Sequence, residues 1–168
     1  MGFFAYQTIS KNTTNKINAS PAGVALTPAQ GRSGYTDIEG NPVQLQNYLG
    51  TILVVNSWAS WSPQSAQELQ KLAAVAQEYD QETVTVLAIN RAEPKNTAQA
   101  YLASIAVADS VVLILDPQDN YYSSVGGFAM PETIFYDAQG NVVQHTRGAL
   151  DDTKIKKFIE EARAAAED

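Results

Sequence analysis

The chain has 168 residues, 45% hydrophobic and 17% charged, which is enough for one soluble domain with a substantial core. Its formal net charge is −7 and it has no basic run, which argues against a nucleic-acid face and against an anionic membrane surface. It has no cysteine and a single histidine, His145. Disulfides, thiolate catalysis and Cys-based metal sites are therefore excluded, a His-rich metal site has no ligands, and no cofactor is expected.

Met1–Tyr6 is a short apolar and aromatic start without the basic flank or length of a signal peptide. It reads as the trimmed end of a membrane anchor, with a natural, frayed cytosolic N-terminus as the other reading. The triplets Asn12-Thr13-Thr14 and Asn18-Ala19-Ser20 match a glycosylation pattern that arises often by chance. No stretch reaches the ~18 apolar residues of a membrane span. Residues 1–33, with Pro21 and Pro28 and no periodicity, read as a linker or tail, and residues 34–168 as one domain.

Tyr35–Leu45 predicts a hairpin turning at Gly40-Asn41. Ile52–Val55 is short and rich in β-branched residues, as a strand buried on both faces would be. A polar and aromatic turn follows, Asn56 to Trp61, and Ser62-Pro63 opens a helix to about Tyr79. In that reading Ser62 is the N-cap and Pro63 the first helical residue. Ala66, Leu69, Leu72, Ala73 and Ala76 then recur at helical spacing. Thr83–Asn90 is a second buried strand and Arg91–Pro94 a loop. A helix capped by Asn96 or Thr97 runs to about Ile105, with Ala100, Leu102, Ala103 and Ile105 apolar. Val111–Leu115 is a third strand, and Asn120–Val125 is a short helix or turn ended by Gly126-Gly127. A strand starts just after Pro131 and turns over Asp137–Asn141 into Val142–Arg147. Asp151-Asp152 caps a last helix with Ile155, Phe158, Ile159 and Ala162 on one face. The order, a hairpin then β-α-β-α-β-α-β-β-α, requires a layered α/β domain with a mixed sheet and helices on both faces. No internal repeat is evident.

The segment Trp58-Ala59-Ser60-Trp61-Ser62-Pro63-Gln64-Ser65-Ala66-Gln67-Glu68 resembles the active-site segment of thioredoxin-like proteins of the TlpA/ResA type. The resemblance covers roughly Tyr35 to Ala164, and it implies a thioredoxin fold with an N-terminal hairpin. It departs at the two positions that matter most. Ser62 and Ser65, in a Ser-Pro-Gln-Ser motif, stand where the family has its catalytic cysteines. A thiol at this helix terminus is acidified, attacks a disulfide and is released by its neighbour; a serine hydroxyl is far too weak an acid and forms no disulfide. The resemblance further implies a cis bond at Met130-Pro131, facing the motif and offering backbone to an extended peptide. It implies a substrate-facing role for Trp61 beside Pro63, and a proton-tuning role for Glu68. Glu68 as a plain helix-start acid is the other reading, and Trp58 is expected in the core. His145 is expected on the strand surface, aligned with no nucleophile.

Two readings of the serines stand side by side. One is an oxidoreductase domain whose cysteines were replaced by engineering. The other is a natural, non-catalytic module that binds peptides or proteins at the same groove. Either way the expected partner is a protein or peptide beside Trp61 and Met130-Pro131, with no nucleic acid and no metal, met by a monomer. The resemblance implies an extracytoplasmic location with a native membrane anchor, a cytoplasmic one being the alternative.

Overall fold

The computed structural model describes residues 25–26, 34–107 and 110–166. The anchor-like start and both glycosylation-type triplets lie outside those residues. The strands are β1 (Thr36–Asp37), β2 (Ile52–Trp58), β3 (Val84–Arg91), β4 (Val111–Asp116), β5 (Glu132–Tyr136) and β6 (Val142–Arg147). They form one mixed sheet in the order β1-β4-β3-β2-β5-β6. β2, β3 and β4 are parallel, while β1, β5 and β6 each pair antiparallel. The helices are α1 (Ser65–Ala76), α2 (Lys95–Ile105), α3 (Asn120–Ser124) and α4 (Asp152–Ala165). Among the described residues no helix is long and apolar enough to cross a membrane.

Strand alternation divides the core into two layers. Ile52, Val54 and Trp58 of β2 face α1, α2 and α4, meeting Leu69, Leu72, Ala98, Leu102, Ile155 and Ile159. Leu53 and Val55 face the other layer, with Tyr121 and Val125 at α3 and with Tyr35 and Leu45. All seven residues of β2 are buried, as expected for a central strand covered on both faces. Leu26 packs into the second layer and its N–H donates to the Gly140 carbonyl at 2.9 Å, so part of the segment read as linker lies on the domain.

Several boundaries differ from the sequence reading. β2 continues through Asn56, Ser57 and Trp58, which pair with both β3 and β5 or, for Trp58, with β3 alone. α1 begins at Ser65, not Pro63, because the chain first makes two tight turns: Ser62 N–H to Ala59 O and Ser65 N–H to Ser62 O, both 3.1 Å. Ser62 is therefore not the N-cap; Gln64 holds that position with no side-chain cap bond. α1 ends at Ala76, where Glu78 and Tyr79 close i→i−3 turns. In α2 the carbonyl of Pro94 accepts from Thr97 and Ala98, so the helix starts ahead of Asn96 and Thr97. Ala98 and Leu102 carry its buried side, while Ala100 and Ala103 are exposed. α4 starts as expected, with the Asp151 carboxylate accepting the Lys154 N–H at 2.8 Å.

The hairpin at Gly40-Asn41 is minimal. Only Thr36-Asp37 is strand, bridged to Pro42 and added antiparallel to the edge of β4. Its turn has a twin that the sequence reading missed. Asp37-x-x-Gly40-Asn41 and Asp137-x-x-Gly140-Asn141 share one hydrogen-bond set. In each, the aspartate accepts the Asn backbone N–H (2.7 and 2.8 Å) and the Asn side-chain amide (2.7 and 2.9 Å). In each, the glycine has positive φ, +99° and +84°, which glycine adopts without steric cost.

Phe135 is fully buried in the central layer, with its ring edge-on to Phe158 at 5.3 Å. Phe135→Ala should cost about 3–5 kcal/mol of unfolding free energy by urea denaturation with an unchanged m-value. A loss under about 1 kcal/mol would show that this layer is not packed as described.

Candidate functional site

The register of the sheet places the site. β2 and β5 are antiparallel with Ser57 opposite Glu132, so the start of β5 lies beside the end of β2. The Ala59–Gln64 turn and the loop ending in Pro131 are thereby brought to one end of the sheet. This is the carboxyl end of the parallel strands, where open α/β sheets bind ligands. The Met130–Pro131 peptide bond is cis.

Ser62 and Ser65 are buried, 3% and 0% exposed. The Ser65 hydroxyl oxygen accepts the Ala59 N–H at 3.3 Å and so ties the helix start back to the end of β2. Glu93, in the loop after β3, holds the same turn from outside. Its carboxylate accepts the Ser60 N–H at 2.9 Å, the Asn90 side-chain amide at 2.6 Å and the Ser60 hydroxyl. The sequence reading passed over Glu93 as loop; nothing in its local pattern marks a carboxylate that reaches back across strands.

Glu68 lies one turn inside α1 and is fully buried. One oxygen accepts the Leu150 N–H at 3.0 Å and the other the Thr133 hydroxyl at 3.3 Å. Thr133 in turn accepts from the Asn56 amide at 2.9 Å, so β2, β5, α1 and the loop before α4 meet at this carboxylate. Burial pushes the Glu68 carboxyl above its ordinary range, opposed by the bonds from Leu150 and Thr133 and by the charge of Lys71. Glu68 is thus neither an exposed helix-start acid nor remote from the serine pair in the chain. It is a buried carboxyl group one turn after Ser65.

Two large apolar side chains are exposed at this end of the sheet, Trp61 (60%) and Phe128 (85%). Trp58 is core, stacked on Tyr101 at 5.6 Å between ring centroids. Arg91 links the two halves of the face. Its guanidinium lies 3.4 Å from the Tyr122 ring centroid and 5.8 Å from that of Trp61, and a two-bond pairing with Asp119 fixes it (2.9 and 2.5 Å). The Tyr122 hydroxyl donates to the Ala129 carbonyl at 3.1 Å. A side chain at Gly127 would meet the Tyr122 ring at 2.5 Å, which gives that glycine a packing reason. Met130 is half-buried and Pro131 buried.

His145 is not at the surface. Its side chain is 2% exposed and Nε2 is bonded to Oε1 of Glu132. The pairing of Ile134 with His145 places both on the sheet face opposite α1, so His145 is no base for Ser62.

The sequence matches the model of the AhpC/TSA family over residues 27–145. This chain belongs to the AhpC/TSA family. Within it, the chain is 24% identical over 124 residues to "Thiol-disulfide oxidoreductase ResA" of Halalkalibacterium halodurans, covering 74% of this chain and 69% of the relative. It is 27% identical over 172 residues to "Thiol:disulfide interchange protein HelX" of Rhodobacter capsulatus, covering 99% of this chain and 89% of the relative. Its fold is that of a secreted Mycobacterium tuberculosis disulfide oxidoreductase, with TM-score 0.67 and 17% identity over 80% of this chain and 98% of that one. The expected thioredoxin-like α/β scaffold and its kinship with thiol-disulfide oxidoreductases of the ResA type are therefore correct. Against those relatives the absence of cysteine is the decisive chemical difference: this AhpC/TSA member has no sulfur to exchange.

The raised Glu68 pKa has a consequence for stability. The fold favours the neutral carboxyl, so this contribution is complete below the unfolded glutamate value and fades as pH rises through the elevated folded value. Glu68→Gln should therefore gain stability relative to the parent as pH is raised across that window in urea titrations. A difference independent of pH would show that Glu68 titrates alike in the folded and unfolded chain, and a change of opposite sign would show that the fold favours its ionised form.

Proposed function

We propose that this chain is a redox-silent, ResA/DsbE-type thioredoxin-like domain that holds a protein or peptide partner at the face around Trp61, Phe128 and Met130-Pro131. The observation that carries this reading is the pairing of an intact scaffold with two hydroxyls at the reactive positions. Ser65 opens α1 and Ser62 stands three residues ahead of it, in the turn held by Glu93 and near the buried Glu68. Helix N–H groups and dipole favour an anion there, but by an amount suited to a thiol and far too small to ionise a serine hydroxyl at neutral pH. No nucleophile forms, and no disulfide can be made or resolved.

The docking half of the reading rests on the exposed aromatics. Trp61 and Phe128 flank Arg91 and Tyr122, whose positions are fixed by Asp119 and Ala129. Exposed aromatic side chains on a fixed frame are how docking surfaces gain affinity at small ordering cost. In this reading Met130, which precedes the cis bond two residues ahead of β5, offers its backbone to an extended chain. An extracytoplasmic location with a membrane tether fits the kinship, since one structural relative is described as secreted.

The test is insulin-disulfide reduction by the chain and by the Ser62→Cys/Ser65→Cys variant. We expect no activity from the parent and turnover from the variant, because only two atoms separate the serine pair from a dithiol. A variant that forms its disulfide yet reduces nothing would show that the surroundings no longer support exchange and would leave docking as the whole of the function.

A further inference from the structure

Glu132 is the residue after the cis-proline, and its carboxylate is 1% exposed. Its two oxygens are divided between two tasks. Oε1 faces the strand side, bonded to His145 Nε2 and lying 3.4 Å from the Arg147 Nε. Oε2 faces the loop, accepting the Phe128 N–H at 2.9 Å and the Ala129 N–H at 3.3 Å. Phe128, more exposed than Trp61 (85% against 60%), thus stands on a backbone anchored to a buried side chain. The Ala129 carbonyl is taken by Tyr122, so both backbone polar groups of Ala129 are held. Such an arrangement is unnecessary for the core, since the Phe128 ring packs nothing there.

We propose that Glu132 is a positioning residue that fixes the Phe128–Ala129 backbone and so presents Phe128 to the docking partner, with His145 and Arg147 holding the carboxylate in place. This rests on the docking reading above. The physical gain is preorganisation. A side chain carried on an already ordered loop loses less freedom when a partner covers it, and two N–H bonds to one buried acceptor oxygen keep such a loop ordered.

The experiment compares the full chain with Glu132→Ala, Glu132→Gln, Phe128→Ala and Trp61→Ala. It reads amide hydrogen exchange at Phe128 and Ala129 by NMR. It also reads binding of a defined probe, reduced insulin B chain with its cysteines carboxamidomethylated, by titration calorimetry. We expect Glu132→Ala to speed exchange at both amides on the order of tenfold and to weaken probe binding by a similar factor. Glu132→Gln, whose amide oxygen can still accept from the loop, should restore most of both. Phe128→Ala should weaken binding while leaving Ala129 exchange slow. Should Glu132→Ala fail to fold, Glu132→Ala/His145→Leu removes the orphaned buried polar group and takes its place.

Unchanged exchange in the alanine variant would overturn the proposal, because the carboxylate would then hold nothing. So would faster exchange with undiminished probe binding, or a glutamine variant as defective as alanine. If neither Trp61→Ala nor Phe128→Ala alters binding, the docking reading itself fails, and the presenting role of Glu132 falls with it even where the exchange data show the hold.

Discussion

The arrangement of this molecule depends on the register of β2. It is the central strand, parallel to β3 and antiparallel to β5, and it is buried on both faces. Pairing of Ser57 with Glu132 carries Pro131 to the end of β2, and pairing of Trp58 with Asn90 carries the Glu93 loop there. A slip of one residue would turn every side chain of β2 to the opposite layer, exchanging Trp58 and Val54 with Leu53 and Val55. The buried bond series from Asn56 through Thr133 to Glu68 and Leu150 pins the same register with polar contacts. Such a network is favourable only when its members are paired, so it favours one alignment over its neighbours.

On that frame the two serines change the chemistry without changing the architecture. Ser65 closes the turn by accepting the Ala59 N–H, a role the hydroxyl fills without any redox function. The start of α1 is a helix N-terminus of the kind that favours an anion, and Glu68 is a buried acid one turn further on. In this chain that apparatus faces groups that do not ionise. The features that remain usable are the exposed aromatic side chains and the fixed polar frame around Arg91, which require no sulfur.

Much of this was legible in the sequence because it rests on local patterns. The apolar run Ile52–Val55, the spacing of Leu69 and Leu72, the Asp151 cap and the Met-Pro before a strand each carry their own signal. The boundary at Ser62 was misread because Ser-Pro is also a good helix opening, and only the double turn through Ala59 and Ser62 shows that the helix waits until Ser65. Glu93, Glu132 and His145 were missed or misplaced for a different reason. Each works through a partner distant in the chain or across strands, as in the cross-strand pairing of Glu132 with His145, and composition gives no sign of such contacts. The hairpin at Gly40 was read correctly, and its likeness to the turn at Gly140 stood in the shared Asp-x-x-Gly-Asn spacing, a signal passed over until the two hydrogen-bond sets were compared.

If the serine side chains alone silence this domain, the scaffold still supports a reactive thiolate once sulfur is restored. The most direct measurement is the thiol titration of Ser62→Cys, followed by absorbance of the thiolate. The account predicts a pKa clearly below the ~8.5 of a free cysteine, since the start of α1 favours the anion. A value at or above ~8.5 would contradict it, and would mean that the site has lost the electrostatics of its relatives along with their sulfur.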